Sequence, residues 1–230
     1  MKLFNKIMFF SYYICTCNSF SNYLIKNYKF NKYPLFDYKL FNQNSDGQHE
    51  TSQSPIHGKP LTIRFHTHVT AETCSKLVEV LTSLDIRSKQ TEIIYGRRFP
   101  IELHIQSNGG ELLPTFYVCD LIKNLDTPVH VYIDGFVASA ASLISICGDK
   151  RFMTKNSCIL IHQLRAQTNG KLNEIKQEMS NLNQFMENLR NIYLDNSKIT
   201  PEELDDLLYS EFWLSSDKCL ELGFVDEIIN

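Results

Sequence analysis

Two strand-like apolar runs, each leading to a reactive residue, constrain the fold of this chain more than any other feature. The runs are Val129–Ile133 and Cys158–Ile161. A turn with one glycine follows the first run and leads to Ser139, which opens a helix of small residues, and the second run leads directly to His162. Alternating strands and helices predict a parallel sheet of the α/β class, in which ligands bind at the carboxyl ends of the strands.

Ser139 and His162 are candidates for a nucleophile and its general base. A serine hydroxyl needs a base within hydrogen-bond reach before it attacks a carbonyl carbon. Ala138, Ala140 and Ala141 leave the serine among small side chains, so another backbone segment has room to approach it closely. His162 follows a buried-strand pattern, where a polar ring requires hydrogen-bond partners. The alternative is chance placement, because the chain has seven histidines and many serines.

Four segments, in the same order, resemble motifs of the Clp protease proteolytic subunit. They are L-H-I-Q-S-N-G-G at 103–110, G-F-V-A-S-A-A-S at 135–142, N-S-C-I-L-I-H-Q at 156–163 and F-W-L-S-S-D-K-C-L-E-L-G-F-V-D at 212–226. The resemblance covers 61–230 and implies a serine peptidase domain there. It also implies an α/β fold of the ClpP/crotonase-like type, with repeated ββα units and a long protruding handle helix.

The same resemblance implies roles for individual residues. Ser139 corresponds to the nucleophile and His162 to the base. The backbone N–H groups of Gly110 and Ala140 correspond to the donors of an oxyanion hole. Taken without the family, the paired glycines indicate only a sharp strand-to-helix turn that presents N–H groups.

The third member of the triad is where the chain departs from the family pattern. The position of the family's catalytic aspartate falls on Glu211, which keeps the charge and adds one methylene. A displacement near 1 Å can lower a rate on the order of a hundredfold, so a weakened triad is one expectation. Asp205 and Asp206 are alternatives, interpreted as solvated charges on a predicted helix. Ser142 competes with Ser139, but a serine inside a helix usually hydrogen-bonds to a preceding carbonyl.

Periodicity and capping residues predict the elements around these motifs. Thr70 is a predicted N-cap, Thr200-Pro-Glu-Glu203 is a predicted helix start, and the polar segment from Asp85 to Arg98 is interpreted as an insertion. His66 and His68 are interpreted as a strand end, since no third metal ligand lies nearby in sequence. The remaining predicted elements are strands at Leu61–Phe65, Ile101–Ile105 and Phe224–Asp226, and a long amphipathic helix at Leu172–Leu194.

Composition and short motifs argue against several classes of function. The net charge of −3 provides no basic field for nucleic acid. The seven cysteines form no C-x-x-C pair, which favours free thiols in a reducing compartment. No run reaches the ~18 apolar residues of a membrane span. The chain has no G-x-x-x-x-G-K-[ST] loop, so we expect no cofactor here and any use of ATP to belong to a partner.

The first 60 residues have a different character. Residues 1–36 contain five lysines and no acidic residue, and an apolar run at 7–17 resembles part of a targeting leader. The alternative is a tail with biased composition. Residues 37–60 are polar and contain glycine and proline, which predicts a linker. We therefore expect residues 1–60 to be a leader or extension, and the protein to work in the cytoplasm or in an organelle matrix such as that of a mitochondrion or plastid.

Three functional hypotheses follow. The first is the proteolytic subunit of an ATP-dependent Clp protease, a serine endopeptidase for protein quality control that cleaves unfolded polypeptides. The resemblance implies stacked heptameric rings of this chain or its paralogues and a separate AAA+ unfoldase. The second is a catalytically weak, architectural ring subunit, for which the only sequence argument is Glu211. The third is a crotonase-like acyl-CoA enzyme, which would not need Ser139 and His162 together.

Overall fold

The structure is a computed structural model that describes residues 61–230. The predicted leader and linker at 1–60 lie outside the described residues. Seven strands and six helices make up the described part. The strands are β1 (Leu61–Phe65), β2 (Ile101–Ser107), β3 (Val129–Ala138), β4 (Lys150–Thr154), β5 (Cys158–Leu160), β6 (Trp213–Ser215) and β7 (Glu227–Ile229). The helices are α1 (Ala71–Tyr95), α2 (Leu112–Asn124), α3 (Ala140–Ile146), α4 (Leu172–Asn196), α5 (Pro201–Ser210) and α6 (Ser216–Glu221).

The sheet is parallel along its main path, as the alternation of strands and helices predicts. Strands β1, β2, β3, β4 and β7 lie side by side in that order. Side chains of β2 alternate between buried and half-buried, so one face of the sheet turns to the core. Helices α1 and α3 pack against the sheet, and α2 packs against both of these helices. The core holds fully buried side chains from both layers, including Phe65, Leu77, Ile105 and Leu143.

Strand β3 is long enough for its two halves to pair with different strands. Its first half, His130–Ile133, pairs with β4, whereas its second half, Phe136–Ala138, pairs with β5. Gly135, with φ of 87°, lies between the two halves. Strand β6 then pairs with β5 in the antiparallel direction. Because β5 adjoins only the second half of β3, the carboxyl ends of these two strands lie side by side.

Helix α1 continues through the segment that the sequence indicates as an insertion. Thr70 caps its start, as predicted, and the helix ends where Gly96 adopts a left-handed conformation with φ of 70°. The segment remains helical because its polar residues bond to the domain: Asp85 accepts a hydrogen bond from the Thr127 N–H at 3.0 Å, and the Ser88 hydroxyl donates to the Phe99 carbonyl at 2.6 Å. The extra residues therefore lengthen a helix.

The prediction of a closing strand at Phe224–Asp226 is wrong in position. The last strand is β7, which begins at Glu227 and pairs with β4. Phe224 and Val225 are buried, and their N–H groups both donate to the carbonyl of Cys219 in α6. These bonds fold the apolar residues back onto the helix end, so pairing with the sheet starts only after them.

The predicted long helix is present as α4, with 25 residues. Its buried residues, Leu189 and Tyr193, both lie in its second half, whereas Leu172 and Met179 in its first half are exposed. This half-exposed helix is consistent with the predicted handle. Within residues 61–230, no helix is both long enough and apolar enough to cross a membrane.

Candidate active site

Ser139 and His162 come together because they follow neighbouring parallel strands. Ala138 at the end of β3 pairs with Leu160 at the end of β5. The N–H of Ser139 donates to the carbonyl of Leu160 at 2.9 Å, and His162 follows two residues later. Ser139, Ala140 and His162 line one small pocket. The sheet thus delivers a hydroxyl and an imidazole to the same place, at the strand ends where α/β proteins bind ligands.

The backbone of Ser139 adopts a conformation that is unusual for a residue with a side chain. Its φ is 57° and its ψ is −131°, at the N-cap of α3. A strained conformation of this kind costs about 1–3 kcal/mol and occurs preferentially at functional sites. Two backbone bonds hold it: the bond to Leu160, and one from the Ser142 N–H to the Ser139 carbonyl at 2.9 Å. A sharp strand-to-helix turn of this type holds the hydroxyl of a nucleophilic serine clear of the sheet.

Ser142 and Tyr193 support this turn from inside the core. The Ser142 hydroxyl donates to the Ser139 carbonyl at 2.5 Å, as expected for a serine within a helix. The Tyr193 hydroxyl lies 2.7 Å from that of Ser142. Burial raises the pKa of the Tyr193 phenol, which is therefore neutral and able to donate. Its place in the apolar stripe of α4 was the only sequence signal for Tyr193, and it did not reveal this contact.

We expect Tyr193→Phe to lower the free energy of unfolding by about 1 kcal/mol, because it removes one buried hydrogen bond and keeps the ring. Urea denaturation of the full chain measures the change. Tyr117→Phe is the matched control, since Tyr117 on α2 is 60% exposed and its hydroxyl is solvated; this variant should keep the stability of the wild type. Equal stabilities for both variants would show that the phenol does not support the serine turn.

The turn after β2 packs directly against the serine. A Cβ added to Gly109 would lie 2.7 Å from the Ser139 Cβ, and one added to Gly110 would lie 1.9 Å from the Val69 carbonyl oxygen. Val69 bonds to the residues on either side of Gly110: its N–H donates to the Gly109 carbonyl at 3.0 Å, and its carbonyl accepts from the Glu111 N–H at 2.8 Å. The N–H of Gly110 donates to no acceptor within 61–230.

Ala140 provides a second N–H close to the serine. It is the first residue of α3, and the N–H groups in the first turn of a helix have no acceptor within that helix. Ala140 is 3% exposed and lines the same pocket as Ser139. The role of the Gly110 and Ala140 N–H groups as donors to an oxyanion stays a prediction.

A backbone carbonyl sets the tautomer of His162. Its Nδ1 lies 2.6 Å from the carbonyl oxygen of Gln163. Because a carbonyl only accepts, Nδ1 carries the proton and the neutral ring has its lone pair on Nε2. In the part of the chain that the structure describes, His162 and the Ser139 hydroxyl make no hydrogen bond. Such bonds are often long without substrate and tighten in the reacting complex.

The strand register places Glu211 opposite His162, but the Glu211 carboxylate binds Arg165. Strands β5 and β6 pair Leu160 with Trp213, so the same register continued by two residues sets Glu211 opposite His162. Glu211 ends α5 in a left-handed conformation with φ of 53°. Nη2 of Arg165 donates to both carboxylate oxygens, each at 2.6 Å. Among the described residues, His162 and Glu211 share no hydrogen bond.

Among the described residues, neither of the two alternative carboxylates forms a hydrogen bond with His162. Asp205 on α5 forms an ion pair with Arg190 on α4, and it is 53% exposed. The side chain of Asp206 is exposed on the same helix. Both positions fit their interpretation as solvated charges. Within residues 61–230, no group of three or more His, Cys, Asp or Glu side chains has an arrangement that could hold a metal ion.

Comparison with known proteins shows which family the chain belongs to. The Clp protease family model matches residues 57–230. ATP-dependent Clp protease proteolytic subunit 1 of Protochlamydia amoebophila is 28% identical over 135 residues, which covers 57% of this chain and 66% of that protein. The protein of the same name from Chlamydia muridarum is 24% identical over 171 residues, covering 73% of this chain and 85% of the relative.

The solved structures include a similar fold. A mutant of ClpP1 from Listeria monocytogenes matches with a TM-score of 0.63 and 25% sequence identity, over 74% of this chain and 91% of that one. This match confirms the predicted ClpP-like α/β fold. The chain therefore belongs to the Clp protease family, among its proteolytic subunits.

Proposed function

We propose that this chain is a serine endopeptidase in which Ser139 is the nucleophile and His162 the general base. The observation that carries the proposal is the position of these two residues in one pocket, at the ends of neighbouring parallel strands. The strained turn at Ser139 and the N–H groups of Gly110 and Ala140 support it. Glu211 is the acidic member that stabilises the imidazolium.

The chemistry follows from the donors and acceptors. Nε2 of His162 takes the proton of the Ser139 hydroxyl while Oγ attacks the scissile carbonyl carbon. The oxyanion that forms accepts hydrogen bonds from Gly110 and Ala140, and the loss of one such donor costs about 3 kcal/mol of barrier. His162 then gives its proton to the leaving amine. A water molecule, deprotonated by the same Nε2, hydrolyses the acyl enzyme and restores the serine.

The substrate we propose is an unfolded polypeptide bound as an extended strand, chiefly through its backbone hydrogen bonds. Proteins of this family form oligomeric rings. We propose that this chain forms stacked heptameric rings, with its own copies or with paralogues, and that a separate AAA+ ATPase unfolds and delivers the substrate. All five cysteines in the described residues are free thiols, which favours a reducing compartment such as the cytoplasm or an organelle matrix.

Labelling with a fluorophosphonate tests the proposal, because this reagent phosphonylates a serine that an adjacent base activates. We expect the full-length protein to carry one adduct on Ser139, located by peptide mass spectrometry. Ser142→Ala is the matched control, since Ser142 lies three residues further on and its hydroxyl already donates to a carbonyl; this variant should still be labelled at Ser139. An adduct on any other serine, or none on folded protein, would contradict the assignment.

A second function is favoured by one observation. Arg165, and not His162, binds the Glu211 carboxylate, as would suit a subunit that contributes architecture and little catalysis. Folded, ring-forming protein that takes no label at Ser139 would establish this alternative for the isolated chain.

A further inference from the structure

Arg165 is a cation close to the site that the mechanism does not use. It lies three residues after His162, in a segment at 161–169 without regular secondary structure. Its Nη2 contacts both oxygens of Glu211 at 2.6 Å. The two residues are 46 positions apart in the sequence, so the contact joins the segment after the general base to the end of α5. Arg165 also lines the pocket that contains Ser139 and His162.

The contact competes with the one that the mechanism needs. The β5–β6 register sets Glu211 opposite His162. However, the Arg165 guanidinium donates hydrogen bonds to both carboxylate oxygens and neutralises much of their charge. His162 donates instead to the carbonyl of Gln163 at 2.6 Å. A neutral carbonyl dipole stabilises an imidazolium less than a carboxylate does. In this arrangement the histidine has the correct tautomer but a weak counter-charge.

We propose that Arg165 is a positioning residue that holds Glu211 away from His162, so that the triad is complete only when this ion pair opens. The inference rests on the proposed function of Ser139 and His162. The pair is able to exchange because it is partly solvated: the side chains of Arg165 and Glu211 are 36% and 28% exposed, and ion pairs in contact with water are weak. Once the ion pair opens, the Glu211 carboxylate contacts the His162 ring and makes this ring a stronger base.

The test compares rate constants for fluorophosphonate labelling of Ser139 in the full-length protein. We expect Arg165→Gln to raise the rate constant about fivefold, the change that corresponds to a solvated ion pair. Arg165→Lys keeps a cation beside Glu211 and should stay near the wild type. Arg190→Gln is the matched control, because it removes another arginine–carboxylate pair, with Asp205, away from the pocket. It should leave the rate constant unchanged.

The pH dependence of labelling provides a readout that a structural role would not move. The labelling rate of an enzyme that uses a general base rises with pH, and the midpoint of this rise is the quantity compared between variants. A carboxylate that reaches the ring favours the imidazolium, so Arg165→Gln should move the midpoint to higher pH. The double variant Arg165→Gln/Glu211→Gln should show the midpoint and rate constant of Glu211→Gln alone, because the effect passes through the carboxylate.

The outcomes distinguish the inference about Arg165 from the proposed function of Ser139 and His162. If Arg165→Gln slows labelling as Glu211→Gln does, the arginine supports the acid and the inference is wrong while the proposed function stands. If Arg165→Gln leaves the rate constant unchanged, the inference is also wrong. The same holds if the increase persists in the double variant. If neither the wild type nor Arg165→Gln labels at Ser139, both claims fail. Faster labelling with a raised midpoint, both lost in the double variant, establishes the inference.

Discussion

His162→Ala is expected to lower kcat/KM for a short fluorogenic peptide on the order of 10⁴-fold. Removal of the base leaves the Ser139 hydroxyl protonated at neutral pH and leaves the departing amine without a proton donor. A base and its nucleophile act as a unit, so the loss approaches that of Ser139→Ala. The carbonyl of Gln163 already fixes the tautomer of this ring, and no other described side chain offers a base at the same position in the pocket.

His130→Ala is the control for this prediction. His130 lies on β3 like Ser139, but at the amino end of the strand, where it pairs with Glu102 and Lys150. Its ring contacts the ring of Phe152 and not the pocket, so we expect kcat/KM within about twofold of the wild type, as for substitutions away from special features. A loss of less than tenfold in His162→Ala would contradict the role of this residue as the base.

Gly110→Ala is expected to remove nearly all activity and to destabilise the fold by about 2–4 kcal/mol. The new Cβ would lie 1.9 Å from the Val69 carbonyl oxygen and 2.8 Å from its carbonyl carbon. These are backbone atoms that cannot rotate away, and φ at this position is 155°. The turn must therefore move, which breaks its bonds with Val69 and displaces the Gly110 N–H that we propose as an oxyanion donor. Loss of one oxyanion donor lowers kcat by about 10²–10³.

Gly96→Ala separates the clash from the backbone conformation. Gly96 also has a positive φ, of 70°, but no atom lies within 4 Å of an added Cβ. We expect this variant to lose about 1 kcal/mol, from left-handed strain alone, and to keep its peptidase activity. Urea denaturation and peptide hydrolysis measure both variants. Equal effects of the two substitutions on stability and activity would contradict the account of the turn at Gly110.

The strand pattern predicted two strands that lead to Ser139 and His162, and both strands are present in one sheet. The run Val129–Ile133 predicted only the first half of β3, and the predicted glycine turn after it is wrong, because the strand continues through Gly135 to Ala138. The end of this longer strand pairs with the end of β5, where Ala138 lies opposite Leu160. The paired glycines predicted the turn after β2. The structure gives the reason for glycine there, because a Cβ on Gly110 would clash with the backbone of Val69. The assignment of chemical roles to these residues stays a prediction that labelling and kinetics will test.

Sequence patterns did not predict contacts between distant segments that lie outside helices and strands. The Arg165–Glu211 pair joins two residues outside regular elements, so neither residue lies in a periodic pattern that would reveal it. The closing strand was misplaced because the apolar residues Phe224 and Val225 bond to the end of α6 before the chain reaches the sheet. The interpretation of Asp85 to Arg98 as an insertion did not reveal that most of the segment is helical, with hydrogen bonds that join it to the domain.

Peptide-bond hydrolysis by the full-length protein tests the central claim most directly. A short fluorogenic peptide needs no unfolding, so the assay requires neither ATP nor a partner ATPase. We predict that the wild type hydrolyses the peptide and that Ser139→Ala, purified in the same way and of the same assembly size, loses this activity at least 10³-fold. Equal rates of hydrolysis by the two proteins, or no hydrolysis by assembled wild type, would contradict the account.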